Sequence, residues 1–256
     1  MRKYIEIFKY SVKSKLTFVW NYLFSLCSFA VHVFVFNELW DYILQGKMVA
    51  GYTKTELIWY IIIAEFITYT KESKHKQIAS MVKQGDIANM LIKPIDMIHY
   101  FIAEDASLII KGFINFGFAI VLGFVLAGPI EVTLGKFVLM LIASIIGIFI
   151  GVLMQIFIGI ISFFTEENNS IYLVLQKMTL LIVFTPLEFY PQIIQKIFCI
   201  LPTTYYVYVP AKIFTNSSLE TAFQLLGLEI LSGIALYILI RIIYKKGVEK
   251  INVNGG

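Results

Sequence analysis

The chain has 256 residues, 59% hydrophobic and 15% charged, with a mean hydropathy of +0.79. Soluble domains carry roughly 45–50% apolar and about 25% charged residues, so this excess of apolar surface needs a lipid solvent; a cytosolic enzyme, a disordered regulator and a secreted disulfide scaffold are excluded. Cys27 and Cys199 are too few for a disulfide framework and lack metal-ligand spacing, and the net charge of +4 is informative only through its placement.

A transmembrane helix needs about 20 mostly apolar residues to cross a ~30 Å hydrocarbon layer. The first such run is 16–36, preceded by Arg2, Lys3, Lys9, Lys13 and Lys15. It is too long for a secretory signal and no small-residue cleavage site follows, so it reads as a retained span. Before it, Tyr4, Ile5, Phe8, Val12 and Leu16 recur at helical spacing among lysines, the pattern of an amphipathic helix (1–15) lying in the interfacial plane. The second span is expected over 57–75, with a short apolar core, 57–70, continuing as helix past Lys71. Runs at 106–127, 137–164, 171–185 and 222–243 follow, the fourth without a charge and the fifth ended by Pro186. One all-α integral membrane domain over 1–256, with six transmembrane helices, is the expected architecture.

Basic residues set the orientation, because cytoplasmic flanks collect Lys and Arg. With both termini inside, 14 basic residues fall on the cytoplasmic side and five on the other, leaving Lys111 and Lys177 at membrane depth. The connection 165–170 runs against the trend, carrying Glu166 and Glu167 and no base, but acidic residues weigh little in this rule.

Motifs of membrane enzymes are missing. His32, His75 and His99 are too scattered for a metal or nucleophile cluster. Ser232-Gly233 lacks the glycine an intramembrane serine protease needs two residues earlier, and Glu166-Glu167 lacks the arginine a membrane metalloprotease would carry next. No phosphate-cradling G-x-x-x-x-G-K-[ST] loop occurs, so if ATP drives this protein, another chain binds it. Ionisable residues within spans are costly and therefore functional candidates; Glu65, Lys111 and Lys177 are singled out. Snorkelling to the interface accounts for the two lysines, and pairing with a neighbouring lysine would account for Glu65. In the fourth span Ala143, Gly147, Gly151, Gln155 and Gly159 recur every four residues. Such a small-residue stripe serves close helix packing, with Gln155 and Glu65 the candidates for lining a path.

Two stretches say most. In 78–94, Ile78, Met81, Val82, Ile87, Met90 and Leu91 recur at three and four residues. Gly85-Asp86 interrupts them as a break and N-cap, and Pro94, after Lys93, ends the second helix. This amphipathic element outside the membrane can pack under its own bundle or dock on a soluble partner. In 186–212, Pro186, Pro191, Pro202 and Pro210 break apolar helix, with Glu188, Tyr190, Tyr205, Tyr206 and Tyr208 among them. Irregular backbone at membrane depth is tolerated only inside protein or beside a water-filled cavity, and tyrosines favour the interface. Two short re-entrant helices dipping from the outer face satisfy both.

With its basic interfacial N-terminus, six spans, a G-D-I-x-x-x-L-x-K-P element after the second and a proline-punctuated hairpin before the sixth, the whole chain resembles a permease of the type-2 ATP-binding-cassette (ABC) transporter family. It is most similar to the bacterial branch of ~260-residue permeases. The resemblance implies an exporter in the bacterial cell membrane, built from two permease chains, identical or homologous, and two cytoplasmic ATPase subunits. ATP and Mg would be bound by the ATPase, with no cofactor, catalytic residue, metal or nucleic acid on this chain. Gly85, Asp86, Ile87, Leu91, Lys93 and Pro94 would belong to the coupling helix, and the hairpin would help close the outer end of the path. The Glu166/Glu167 turn is expected to face the ATPase. A peptide, lipid-like or hydrophobic substrate suits this family. An ion-coupled secondary transporter or channel, and less so an integral membrane enzyme, are the alternatives.

Overall fold

Apolar faces and the polar residues that interrupt them decide where each helix begins and stops. A computed structural model describes residues 2–15, 19–165 and 167–254, without the side chains of 15–21 and 251–254. Leu16, the expected start of the first span, and Glu166 of the acidic turn lie outside the described residues. Among the described residues the regular structure is all helical, apart from one isolated antiparallel bridge between Val49 and Tyr52, with turns and loops between the helices.

Helix α1 (Arg2–Lys15) lies against α6 (Met97–Asp105), where Ser11 Oγ meets Ser107 Oγ at 3.0 Å and Lys3 donates to the Pro94 carbonyl. Helix α2 (Val19–Leu44) buries Phe29, Val33, Trp40 and Leu44 on one face, and exposes Phe24, Val31, Phe34 and Val35. That face rests on α3 (Lys54–Thr70), whose N-terminus is closed by a capping box between Thr53 and Glu56. Residues 57–67 of α3 are buried all round, the signature of a central helix.

The second span was expected to run on to 75, and here the structure differs. Lys71 takes extended backbone (ψ 158°) and α3 stops at Thr70. The chain turns over Glu72 and Ser73 into α4 (Lys74–Lys83), which puts the Lys74 ammonium 2.8 Å from Glu104 and 3.1 Å from Asp105. Pairing these charges outweighs one more helical turn. The third span is also corrected, since helix begins at Met97 rather than 106, with Asp96 Oδ1 capping the His99 N–H. α6 passes into α7 (Leu108–Leu126) through a tightened turn at Ala106 and Ser107, where Ile109 and Ile110 bond carbonyls three residues back.

Helix α8 (Leu134–Thr165) is the most buried long helix and packs against α12 (Leu219–Asn254) and α11 (Pro202–Thr215). Helix α9 (Asn169–Phe184) leads through a short 3₁₀ turn, Leu187–Phe189, to α10 (Gln192–Ile200), which meets α11 at 109°. α11 is largely buried against α3, α8, α9 and α12. Among the described residues, four helices are long and apolar enough to cross a membrane: Tyr22–Leu44, Met97–Leu126, Leu134–Thr165 and Leu219–Lys250. Counting the bent α10–α11 pair as one span gives five. The expected six would also require α3 and α9, which at 17 and 16 residues are shorter than a perpendicular crossing needs. The last helix also outruns its expected end at 243, reaching Asn254.

Candidate functional site

The foot forms at the end of the bundle that carries α1, α4 and the tail of α12. A left-handed Gly85 (φ +78°) separates α4 from α5 (Asp86–Leu91), and open space surrounds the position a Cβ would take. Glycine occupies the cap position and Asp86 is the first helical residue, so the expectation of Asp86 as N-cap is corrected; its carboxylate still favours the positive end of α5. Ile87 and Met90 turn inward and Leu91 is half-buried, whereas Asp86, Lys93 and Pro94 are exposed. Ile92, not singled out from sequence, is 83% exposed. Its position just after the inward stripe was the available signal.

Four ties anchor the foot to the bundle. Ile78 of α4 presses on Gly159 of α8, where a Cβ would come within 2.6 Å of Ile78 Cδ1. His75 Nδ1 lies 2.6 Å from Gln155 Oε1, and its ring stacks on Tyr172 at 3.9 Å between centroids. Lys83 pairs with Glu167 at 3.1 Å, and Lys74 with Glu104 and Asp105. Burial works against the Lys74 charge, but Asp105 and Glu104 more than offset it and hold the ammonium above the usual lysine range. Burial pushes the His75 imidazole down despite its bond to Gln155. The bond from Lys83 and the Asn169 N–H draw the Glu167 carboxyl below its ordinary value.

Thus Gln155 is buried in a helix–helix contact with α4. Gly147 and Gly151 of the same stripe face Tyr206 of α11, so small residues admit α11 and α4 along one face of α8.

At the other end, prolines shape the hairpin. Pro191 precedes α10, Pro202 opens α11 and Pro210 sits within it. Pro186 precedes the 3₁₀ turn, and Tyr190 donates to the Leu181 carbonyl at 2.9 Å. Glu188 gathers Lys212 Nζ at 2.7 Å, Tyr208 Oη at 2.7 Å and Tyr52 Oη at 3.2 Å, with Lys212 also 3.0 Å from Tyr52 Oη. This cluster locks the turn after α9 to α11 and to the loop before α3. Tyr52 and Lys212 come from segments separate in sequence, so no local pattern announced them.

At membrane depth Glu65 is buried and its partner is His32 of α2, at 3.5 Å, rather than a lysine. Tyr69 Oη joins His32 Nδ1 at 3.2 Å and Ser28 Oγ at 2.9 Å. Lys177 is exposed and, with Phe36, Val174, Leu181 and Phe184, lines an open cleft between α2 and α9. Sequence reading passed over Glu229, a single carboxyl in the apolar stretch of α12 that is fully buried. Its signal was the acidic residue itself, inside a run expected to cross the lipid. No cluster of three His, Cys, Asp or Glu suited to a metal occurs among the described residues.

The structure thus has a foot of short helices at one end of the helical bundle and a bent helical hairpin at the other. No curated protein matches the chain. The family model described as ABC-2 family transporter protein matches residues 15–255. The chain therefore belongs to the ABC-2 transporter family and is a multi-pass membrane transport subunit of that kind.

Proposed function

We propose that this chain is the membrane-spanning permease of a bacterial ABC exporter and carries out no catalysis itself. A cytoplasmic ATPase binds ATP and Mg and grips the exposed rim of the foot. The observation that carries this reading is the division of the foot into two faces. Ile78, His75, Lys74 and Lys83 tie one side to α6, α8 and Glu167, while the side chains of Asp86, Ile92, Lys93 and Pro94 are exposed on the other. A push on the rim is thereby delivered directly to α8 and, through its glycine stripe, to α11. Bundle and hairpin then exchange between two packings, which moves a peptide, lipid-like or hydrophobic substrate outward. The foot and both termini lie on the cytoplasmic side, where 14 of the basic residues collect.

A second permease chain covers the α2–α9 cleft, whose apolar walls and exposed Lys177 one bundle leaves open. The test is reconstitution with an ATPase encoded beside this gene. ATP-dependent export from vesicles, abolished when the ATPase is withheld, is expected. Transport that persists without the ATPase and follows an ion gradient overturns the reading.

A further inference from the structure

Glu229 occupies a place where no charged group is at home. It is the eleventh residue of α12, roughly 15 Å along the helix from its start and inside the apolar stretch that is long enough to cross a membrane. Its side chain is fully buried, and neither carboxyl oxygen has a hydrogen-bond partner. The backbone of α11 borders the same glycine of α8 as this carboxyl does. Pro210 has no N–H, so the carbonyl of Tyr206, four residues earlier, loses its ordinary helical donor. The two groups border the same point on α8, since a Cβ on Gly147 would lie 2.6 Å from the Tyr206 carbonyl oxygen and 3.3 Å from Glu229 Oε1. Only glycine leaves room for that approach.

Two acceptors therefore converge with no donor between them. Other titratable groups on the helices packed against α12 are engaged or distant. Lys212 is held by Glu188, and Lys136 of α8 lies eleven residues before Gly147, roughly 16 Å along the helix. The Tyr206 phenol takes a bond from Lys71, Tyr205 donates to the Cys199 carbonyl and Tyr208 to Glu188. On α12 itself, Ser232 donates to the backbone carbonyl of Glu229. An ionised carboxylate here would be buried without compensation, which is strongly disfavoured. A single hydrogen resolves both problems, because the neutral acid is a donor and the free carbonyl an acceptor.

We propose that Glu229 is a proton-binding site within the last span, where the neutral carboxyl donates toward the Tyr206 carbonyl and seats the broken α11 against that helix. Taking the proton away leaves two facing acceptors and loosens that seat.

The test is thermal unfolding of the purified chain and of Glu229→Gln across pH 5–8, in sodium, potassium and a bulky organic cation. The amide mimics the neutral acid, so Glu229→Gln is expected to fold and to match the wild type at pH 5. The unfolded chain gives up the carboxyl proton above roughly pH 4.3. Wild-type stability is therefore expected to fall relative to the variant as pH rises, by roughly 3–5 °C per pH unit, equally in all three salts. Parallel pH profiles for the two proteins overturn the proposal. So does a Glu229→Gln chain that fails to fold, or wild-type stabilisation specific to sodium or potassium, which assigns the site to a metal cation instead.

Discussion

Ile78 and Gly159 meet so closely that a methyl on the glycine would lie 2.6 Å from Ile78 Cδ1 and 2.8 Å from its Cβ. The second distance decides the cost. A side-chain tip can swing aside, whereas Cβ moves only with its backbone, so Gly159→Ala displaces α4 from α8. Overpacking of this kind costs about 1–3 kcal/mol. A lower melting temperature is expected, with a loss smaller than the sum of the single changes in the Gly159→Ala/Ile78→Gly double variant, which removes that Cβ. An additive double variant would show that the contact is not the cause.

Lys74 is nearly inaccessible between Glu104 and Asp105, and Asp105 is equally buried. Lys74→Met takes the ammonium away from the buried Asp105 carboxylate, and breaking a buried pair from one side typically costs about 3–5 kcal/mol. Lys74→Met/Asp105→Leu removes both buried charges and is expected to be more stable than Lys74→Met alone. Because its partners hold Lys74 above the usual lysine range, the pair's contribution is complete below roughly pH 10 and fades only as pH rises through that shifted value. Urea or thermal melts of the wild type and the two variants at pH 7 and pH 9, where the pair's contribution should be the same, check both statements.

The foot and the hairpin were legible because their signals are local. Gly85 interrupts a three-and-four apolar spacing, and Pro186, Pro191, Pro202 and Pro210 each remove a donor from an apolar run. The stop after Thr70 was not legible, since it depends on Lys74 reaching Glu104 and Asp105 some thirty residues on. The partner of Glu65 was missed for the same reason: His32 lies on another helix. Glu229 was visible as a residue, but depth alone does not show that its carboxyl faces a carbonyl released by a proline on α11. Nor does a stripe of glycines say which neighbour fills it. Here α11 covers Gly147 and Gly151, and α4 covers Gly159.

The cluster at Glu188 predicts strong coupling across the hairpin. Lys212→Met leaves the carboxylate with only Tyr208 and Tyr52 as donors, and Glu188→Gln leaves Lys212 without a counter-charge. Each single change is expected to cost about 1–3 kcal/mol. Residues sharing one network do not add, so the double variant should lose clearly less than the sum. A double-mutant cycle by thermal melting reads this, and strict additivity would mean that the two side chains act independently.

Asp96 joins two elements, capping α6 through the His99 N–H and pairing with Arg241 of α12. Burial opposes its charge, but the His99 N–H and Arg241 prevail and hold the carboxyl below its ordinary value. The sign follows: this stabilisation is present above roughly pH 3.9 and is lost as pH falls through the depressed folded-state value. Asp96→Ala is expected to cost about 1 kcal/mol from the cap alone. Asp96→Asn keeps a capping oxygen and removes the titration, so its acid-side melting curve should be flatter than the wild type's. An unchanged acid limb in Asp96→Asn would assign the pH dependence to other carboxyls.

Ile92 offers the sharpest separation of folding from partner binding. A large apolar side chain 83% exposed beside exposed Lys93 and Pro94 contributes little to the isolated bundle, so Ile92→Asp should leave the melting temperature almost unchanged. At an interface the same side chain is a candidate anchor. Truncating an anchor commonly costs about 2 kcal/mol or more, and each ~1.4 kcal/mol is tenfold in affinity. The proposed ATPase contact therefore predicts at least a roughly tenfold loss of ATPase co-purification and of transport-coupled ATP use. Lys47→Ala, at an exposed position in the connection between α2 and α3, serves as the control away from the foot. Undiminished ATPase binding by Ile92→Asp would move the contact elsewhere on the basic end, while the anchoring of α4 to α8 would stand.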